Sequence, residues 1–148
     1  MSKDCCGGGE VMILACSGAS NVGQLANQAA VELTQEGFGK MFCLAGVGAH
    51  LSGFVQSAKD VPVLVAVDGC DVGCAKGILD HAGIEPAAHI VLTREGLEKN
   101  KNLNLIKEDV EAAKRAIKIG LDSKRFEKGA ACTAGPATGG CDCGGNCC

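Results

Sequence analysis

The sequence predicts a three-layer α/β domain: a parallel sheet of about four strands with helices on both faces. Three observations carry this expectation. Four short apolar runs lack polar alternation, as strands covered on both sides do. Helical apolar periodicity lies between and after them, so strand and helix alternate along the chain. The chain has 148 residues, 47% hydrophobic and 21% charged, which suits one globular domain with its own core.

The elements follow in order. The first strand is EVMILAC, Glu10–Cys16. After SGASN, Val22, Leu25, Ala26, Ala29, Ala30 and Leu33 recur at helical spacing, and Gly37 is a natural stop. Asn21 with Gln24 three residues later predicts a capping box. The second strand is GKMFCLAG, Gly39–Gly46, followed by a short helix with Leu51, Phe54, Val55 and Ala58 on one side. The third strand is VPVLVAV, Val61–Val67, and its helix carries Val72, Ala75, Ile78, Leu79 and Ala82. The fourth is AAHIVLT, Ala87–Thr93, and a last helix spans about Lys107–Leu121. Right-handed crossovers leave few strand orders, and 2-1-3-4 is favoured over 3-2-1-4. This is a Rossmann-like or flavodoxin-like arrangement. The body is expected over residues 10–126, between a Cys/Gly-rich N-terminus (1–9) and a flexible Cys-rich tail (127–148) that has almost no large apolar residues.

Composition excludes some functions. Net charge is −3 with no clustered basic stretch, which argues against nucleic acid as a partner. There are four Phe and no Trp or Tyr, so a base-stacking surface is not expected. No run approaches the roughly 18 apolar residues of a membrane helix. No targeting segment stands out, so a cytoplasmic location is expected. There, thiols stay reduced, and eleven cysteines read as metal ligands or working thiols rather than disulfides.

Four cysteines lie in the patterned body. Cys16 closes the first strand, Cys43 lies near the end of the second, Cys70 follows the third, and Cys74 falls in the first turn of the next helix. The carboxyl ends of parallel strands share one sheet edge, where open α/β sheets bind ligands. Neighbouring strands lie about 4.8 Å apart. Thiolates on one zinc lie roughly 3.7 Å apart, given Zn–S of about 2.3 Å. A metal or soft-ion site therefore fits. A reactive thiol cluster also fits, since helix N-termini favour thiolate. Plain packing remains open too, especially for Cys43 in its apolar run.

Enzyme loops fit poorly. CSGASNVG resembles the start of a thiol-phosphatase loop, but the position that needs Arg is Val22. GVGAHLSG, Gly46–Gly53, is neither G-x-G-x-x-G nor a Walker loop.

The segments CSGASNVGQLANQAAVELTQEG, FCLAGVGAHLSG, VAVDGCDVGCAKGILDHAGI and HIVLTREGLEKN resemble the DGC-domain family of zinc-binding proteins, over about Val11 to Leu121. The family is named for an Asp-Gly-Cys motif, here Asp68-Gly69-Cys70. The resemblance implies zinc on four cysteines, matching Cys16, Cys43, Cys70 and Cys74. It implies no reaction.

Around these ligands, Asp68 is expected to orient them or to accept backbone N–H bonds, and Asn21 and Ser17 to cap the first helix. His50 is a competing ligand, while His81 and His89 read as structural or surface residues. In the tail, Cys132, Cys141, Cys143, Cys147 and Cys148 suit soft ions such as Cu(I), Zn(II) or As(III). The expected function is zinc binding in a sensing, carrier or homeostasis role, with a metal ion as partner, no nucleic acid or membrane, and a protein partner unidentified. The alternative is a thiol enzyme moving sulfur, selenium or electrons through Cys16 or Cys70.

Overall fold

The computed structural model describes residues 11–129. The expected tail ligands Cys132, Cys141, Cys143, Cys147 and Cys148 lie outside the described residues.

Four strands form one parallel sheet: β1 (Val11–Ala15), β2 (Lys40–Met41), β3 (Val63–Asp68) and β4 (Ala88–Val91). Their order is β2-β1-β3-β4, as the favoured reading had it. The register sets Ala15 beside Val67 and Asp68 beside Val91. The helices among the described residues are α1 (Asn21–Gln35), α2 (Leu44–Gly48), α3 (Ser52–Asp60), α4 (Cys74–His81) and α5 (Lys107–Gly129). The last runs past the expected boundary at Phe126. None of the described helices is long and apolar enough to cross a membrane.

The strands are apolar on both faces because both are covered. Ile13, Ala15, Val65 and Val67 pack with Leu25, Ala29 and Leu33 of α1 and Ala113 and Ile117 of α5. Met12, Leu14, Leu64 and Ala66 pack with Val47, Ala58 and Leu79 from α2, α3 and α4. Alternate residues of one strand thus enter two cores. Each fully buried large aliphatic side chain contributes about 1.5–3 kcal/mol.

Two expectations need correction. The second strand is two residues long, not Gly39–Gly46. Phe42 N still reaches Ile13 O at 2.9 Å, but the chain then turns into α2. Its apolar residues serve a helix: Val47 is buried, and Gly46 lies so close to the Phe54 ring that a Cβ would stand 2.6 Å from it. Helical packing on Phe54 has overridden the strand-like composition. The capping box at Asn21 is also absent. Ser20 is the N-cap, its Oγ accepting from Gly23 N at 3.4 Å. Asn21 is the first helical residue and is buried.

Candidate functional site

The carboxyl edge of the sheet is where the thiols gather. Cys16 follows β1 and continues the ladder, its N–H donating to Val67 O at 2.9 Å. Its side chain is buried, and Sγ accepts the Gly69 N–H at 3.1 Å. Burial pushes this thiol above its ordinary pKa of 9.0. The Gly69 hydrogen bond opposes the shift, while Asp68, Cys74 and Cys70 add to it. Gly69 is needed here for space. A Cβ at that position would lie 2.6 Å from the backbone carbon and oxygen of Val22. The turn just after β3 therefore passes hard against the start of α1, where the Gly69 N–H also meets Cys16 Sγ.

After Cys70, the chain turns through Asp71, Val72 and Gly73 before α4 begins at Cys74. Gly73 N donates to Cys70 O at 3.1 Å, and Gly73 takes a left-handed φ of 66° that favours glycine. Gly73 is the N-cap of α4 but has no side chain to cap it. Asp68 does so from the end of β3. Its Oδ1 accepts from Ala75 N at 2.7 Å and its Oδ2 from Lys76 N at 3.0 Å. Asp68 is only 1% exposed, and His89 Nε2 stands 2.8 Å from Oδ2. A buried carboxylate is costly unless its lone pairs are met, and three partners meet these. The expectation that Asp68 accepts backbone N–H bonds is therefore met. His89, expected to be structural or on the surface, completes that set.

Cys16, Cys70 and Cys74 line one cavity of about 770 Å³. Cys43 does not line it, although the next two residues, Leu44 and Ala45, do. Cys43 is exposed at the N-cap of α2, where Sγ accepts from Gly46 N at 3.4 Å. This corrects its placement in a strand, and its exposure removes the reading of Cys43 as packed core. Ser17 lines the cavity but is not the cap of α1.

Asn21 has a different task from capping. Its Nδ2 donates to Glu98 O at 2.8 Å, and its Oδ1 accepts from Asn100 N at 2.6 Å. The Asn21 N–H donates to Asn100 O at 3.1 Å. Both residues flanking Lys99 are thereby pinned to the start of α1. Lys99 Nζ lies 3.3 Å from Cys70 Sγ. The sequence reading missed Lys99, because nothing local to EKNKN marks it as part of a thiol site.

His50 and His81 meet elsewhere, their ring centroids 5.1 Å apart, and with Cys74 they line a smaller cleft beside the first. Among the described residues, no three thiol, imidazole or carboxylate groups are gathered closely enough to hold a metal as they stand. The donor chemistry of three thiols in one cavity fits a soft or borderline ion. Their present rotamers do not form a closed cage.

These features define an open α/β domain with a thiol-lined cavity at the carboxyl edge of its sheet. The DGC domain profile matches residues 12–117, well over half of the chain, and the chain belongs to that family. It is also 37% identical over 100 residues to a Pseudomonas aeruginosa protein, "Anaerobic and virulence modulator AnvM", covering 68% of this chain and 76% of that one. No solved structure matches it.

Proposed function

We propose that the chain is a metal-binding protein, with zinc the first candidate ion, in a sensing, carrier or homeostasis role. Cys16, Cys70 and Cys74 would supply three ligands. Cys43 would be the fourth, if the start of α2 turned it toward the cavity that its neighbours Leu44 and Ala45 line. The observation that carries this reading is that three thiols from two strand ends and one helix start line a single cavity. Four thiolates make a closed site of the structural kind, which suits binding better than turnover. The relative's name describes a modulator. Carried over to this chain, it favours regulatory use of the thiols. The tail cysteines, from Cys132 to Cys148, would collect soft ions for the body site.

One observation favours the thiol-enzyme alternative: Lys99 Nζ lies 3.3 Å from the Sγ of Cys70, a thiol that is not fully buried. Cys16 is the poorer nucleophile of the two named for that role, being buried with its pKa raised.

The test is metal content and free-thiol count on anaerobically purified protein. About one zinc per chain, lost in Cys70→Ser and kept when the five tail cysteines become serine, supports the body site. Zinc-free protein whose Cys70 is alkylated fast would replace it with the thiol-enzyme reading. Slower zinc uptake in the tail variant would support collection by the tail, and an unchanged rate would remove it.

A further inference from the structure

The chain has three histidines. His89 is taken up by Asp68. The other two, His50 and His81, meet at the smaller cleft, of about 370 Å³. His50 holds a backbone conformation that its residue type seldom takes. It follows α2 and closes that helix, its N–H donating to Val47 O at 3.0 Å while Leu51 N donates to Gly46 O at 3.1 Å. This closure favours glycine, because it needs a left-handed residue. His50 adopts it with φ 54°, and among the described residues no other non-glycine has a positive φ. The side chain is exposed, so core packing does not account for the strain. Strain of this kind persists where a side chain has a task. His81 is exposed too, and among the described residues neither imidazole has a hydrogen-bond partner.

We propose that His50 and His81 together bind a borderline divalent cation of the kind imidazole suits, such as Ni(II) or Zn(II), with water in the remaining coordination positions. This site is separate from the thiol set and stands whether or not the thiols hold an ion. The two ring centroids are 5.1 Å apart. Two imidazoles on one tetrahedral ion have centroids about 5.2 Å apart, from a metal–nitrogen distance of about 2.05 Å and a ring centre about 1.15 Å behind the nitrogen. The ring planes now lie at 70°, edge toward face. A turn about χ2, a soft torsion, re-aims the nitrogens. It leaves each centroid in place, because the ring centre lies close to the Cβ–Cγ axis. His81 ends α4 and His50 follows α2, and helix carboxyl ends favour positive charge. Gly48 and Gly77 also line the cleft and bring no side chain into it, which leaves room for the ion's water.

The test is calorimetric titration of the untagged full chain with Ni(II), after its reachable thiols are capped with a methanethiosulfonate that adds only a methylthio group. Saturable uptake of one ion per chain is expected. His50→Gln and His81→Gln should each weaken it at least about tenfold, since one imidazole then acts without the effective concentration of the other. The double variant still carries His89, so full uptake by it assigns the ion to another ligand and overturns the proposal. His50→Gly separates binding from folding. Glycine suits the left-handed position, so without metal this variant should melt no lower than the parent chain, yet show the same tenfold loss. A His50→Gly chain that binds Ni(II) as the parent does also overturns the proposal. Uptake by the uncapped chain that capping abolishes ends this inference and leaves the thiol-site reading standing. Histidine-dependent uptake by the capped chain upholds it, whatever the thiols hold.

Discussion

The two faces of the sheet are covered by very different means. On one, α1 buries eight of its residues, among them Leu25, Ala29 and Leu33, and α5 crosses it with Ala113, Ile117 and Leu121. A largely buried Lys114, 7% exposed, ties α5 to α1 by pairing with Glu32 and Glu36, and also pairs with Glu111 of its own helix. On the other face, α2 has five residues and α3 buries only Ala58. Partly exposed Phe42, Phe54 and Ile78 fill in around Val47 and Leu79. The thiol cavity draws a wall from each side: Cys16 and Gly23 border the thick face, Leu44, Ala45 and Ile78 the thin one. The thickly covered half holds the buried Cys16 with half-buried Cys70 packed against it, and the exposed Cys74 begins the helix that sends Leu79 into the lightly covered half. That division suits a site that must admit a ligand, because the side with few buried contacts opens at the lower cost.

The comparison can be broken first by core truncation. Ile117→Ala should cost about 3–5 kcal/mol and Leu79→Ala about 2–3, because a thinly covered site relaxes into its cavity more completely. Equal losses in denaturant unfolding would mean that the two faces are equally tight.

Next is Asp68→Ala, which removes the cap of α4 and leaves two N–H groups and His89 without their acceptor. A loss of about 2 kcal/mol is expected; the proposed zinc site would be weakened too, since Cys74 begins the helix that Asp68 holds. His89→Gln should do less, as Ala75 and Lys76 keep their acceptor. A His89 variant as damaging as the Asp68 one would shift the weight from capping to the imidazole.

The remaining two tests use pH on the metal-free chain. Cys16 has a raised pKa when folded, so the folded state holds its proton more tightly than the unfolded chain does. That stability is complete below the unfolded pKa near 9.0 and is lost as pH rises through the higher folded value. Thermal melts should fall on the alkaline side, and Cys16→Ala should flatten that limb. On the thick face, hydrogen bonds from Gln28 and Lys114 lower the Glu32 pKa, and those from Lys114 and Lys118 lower that of Glu36. Their stability is present above the ordinary carboxyl value of 4.5 and is lost as pH falls through the lower folded values. Lys114→Met should therefore melt earlier at neutral pH and show a flatter acid limb. Being partly solvated, these pairs give the smallest effect of the set. An acid limb unchanged by the variant would detach Lys114 from the stability of the thick face.

Much of this was legible in the residues. The four apolar runs marked the strands, and alternation of strand and helix limited their order. The positions of Cys16, Cys70 and Cys74 along that pattern put them at one edge. What failed was local ambiguity and long-range pairing. FCLAGVG reads as strand or helix on composition, and Phe54, from the next helix, decides for helix. Asn21 looks like a cap because Asn caps helices, but its partners are 77 and 79 residues away. Lys99 gives no signal until that clasp sets it over Cys70. His89 did give one, as a lone polar residue in a buried strand, and its meaning needed the β3–β4 register that sets it near Asp68.

The Asn21 clasp also bears on when the cavity comes into being. During synthesis, a nascent chain that has emerged only as far as α4 already carries Cys16, Cys70 and Cys74, yet lacks Glu98, Lys99 and Asn100. Contacts across so many residues form late, because the chain must close a long loop before they gain anything. The thiols are thus presented before their cationic lip is, and an ion or oxidant arriving early meets a half-built cleft. Loading would best follow completion of the fold, with the clasp as its final step.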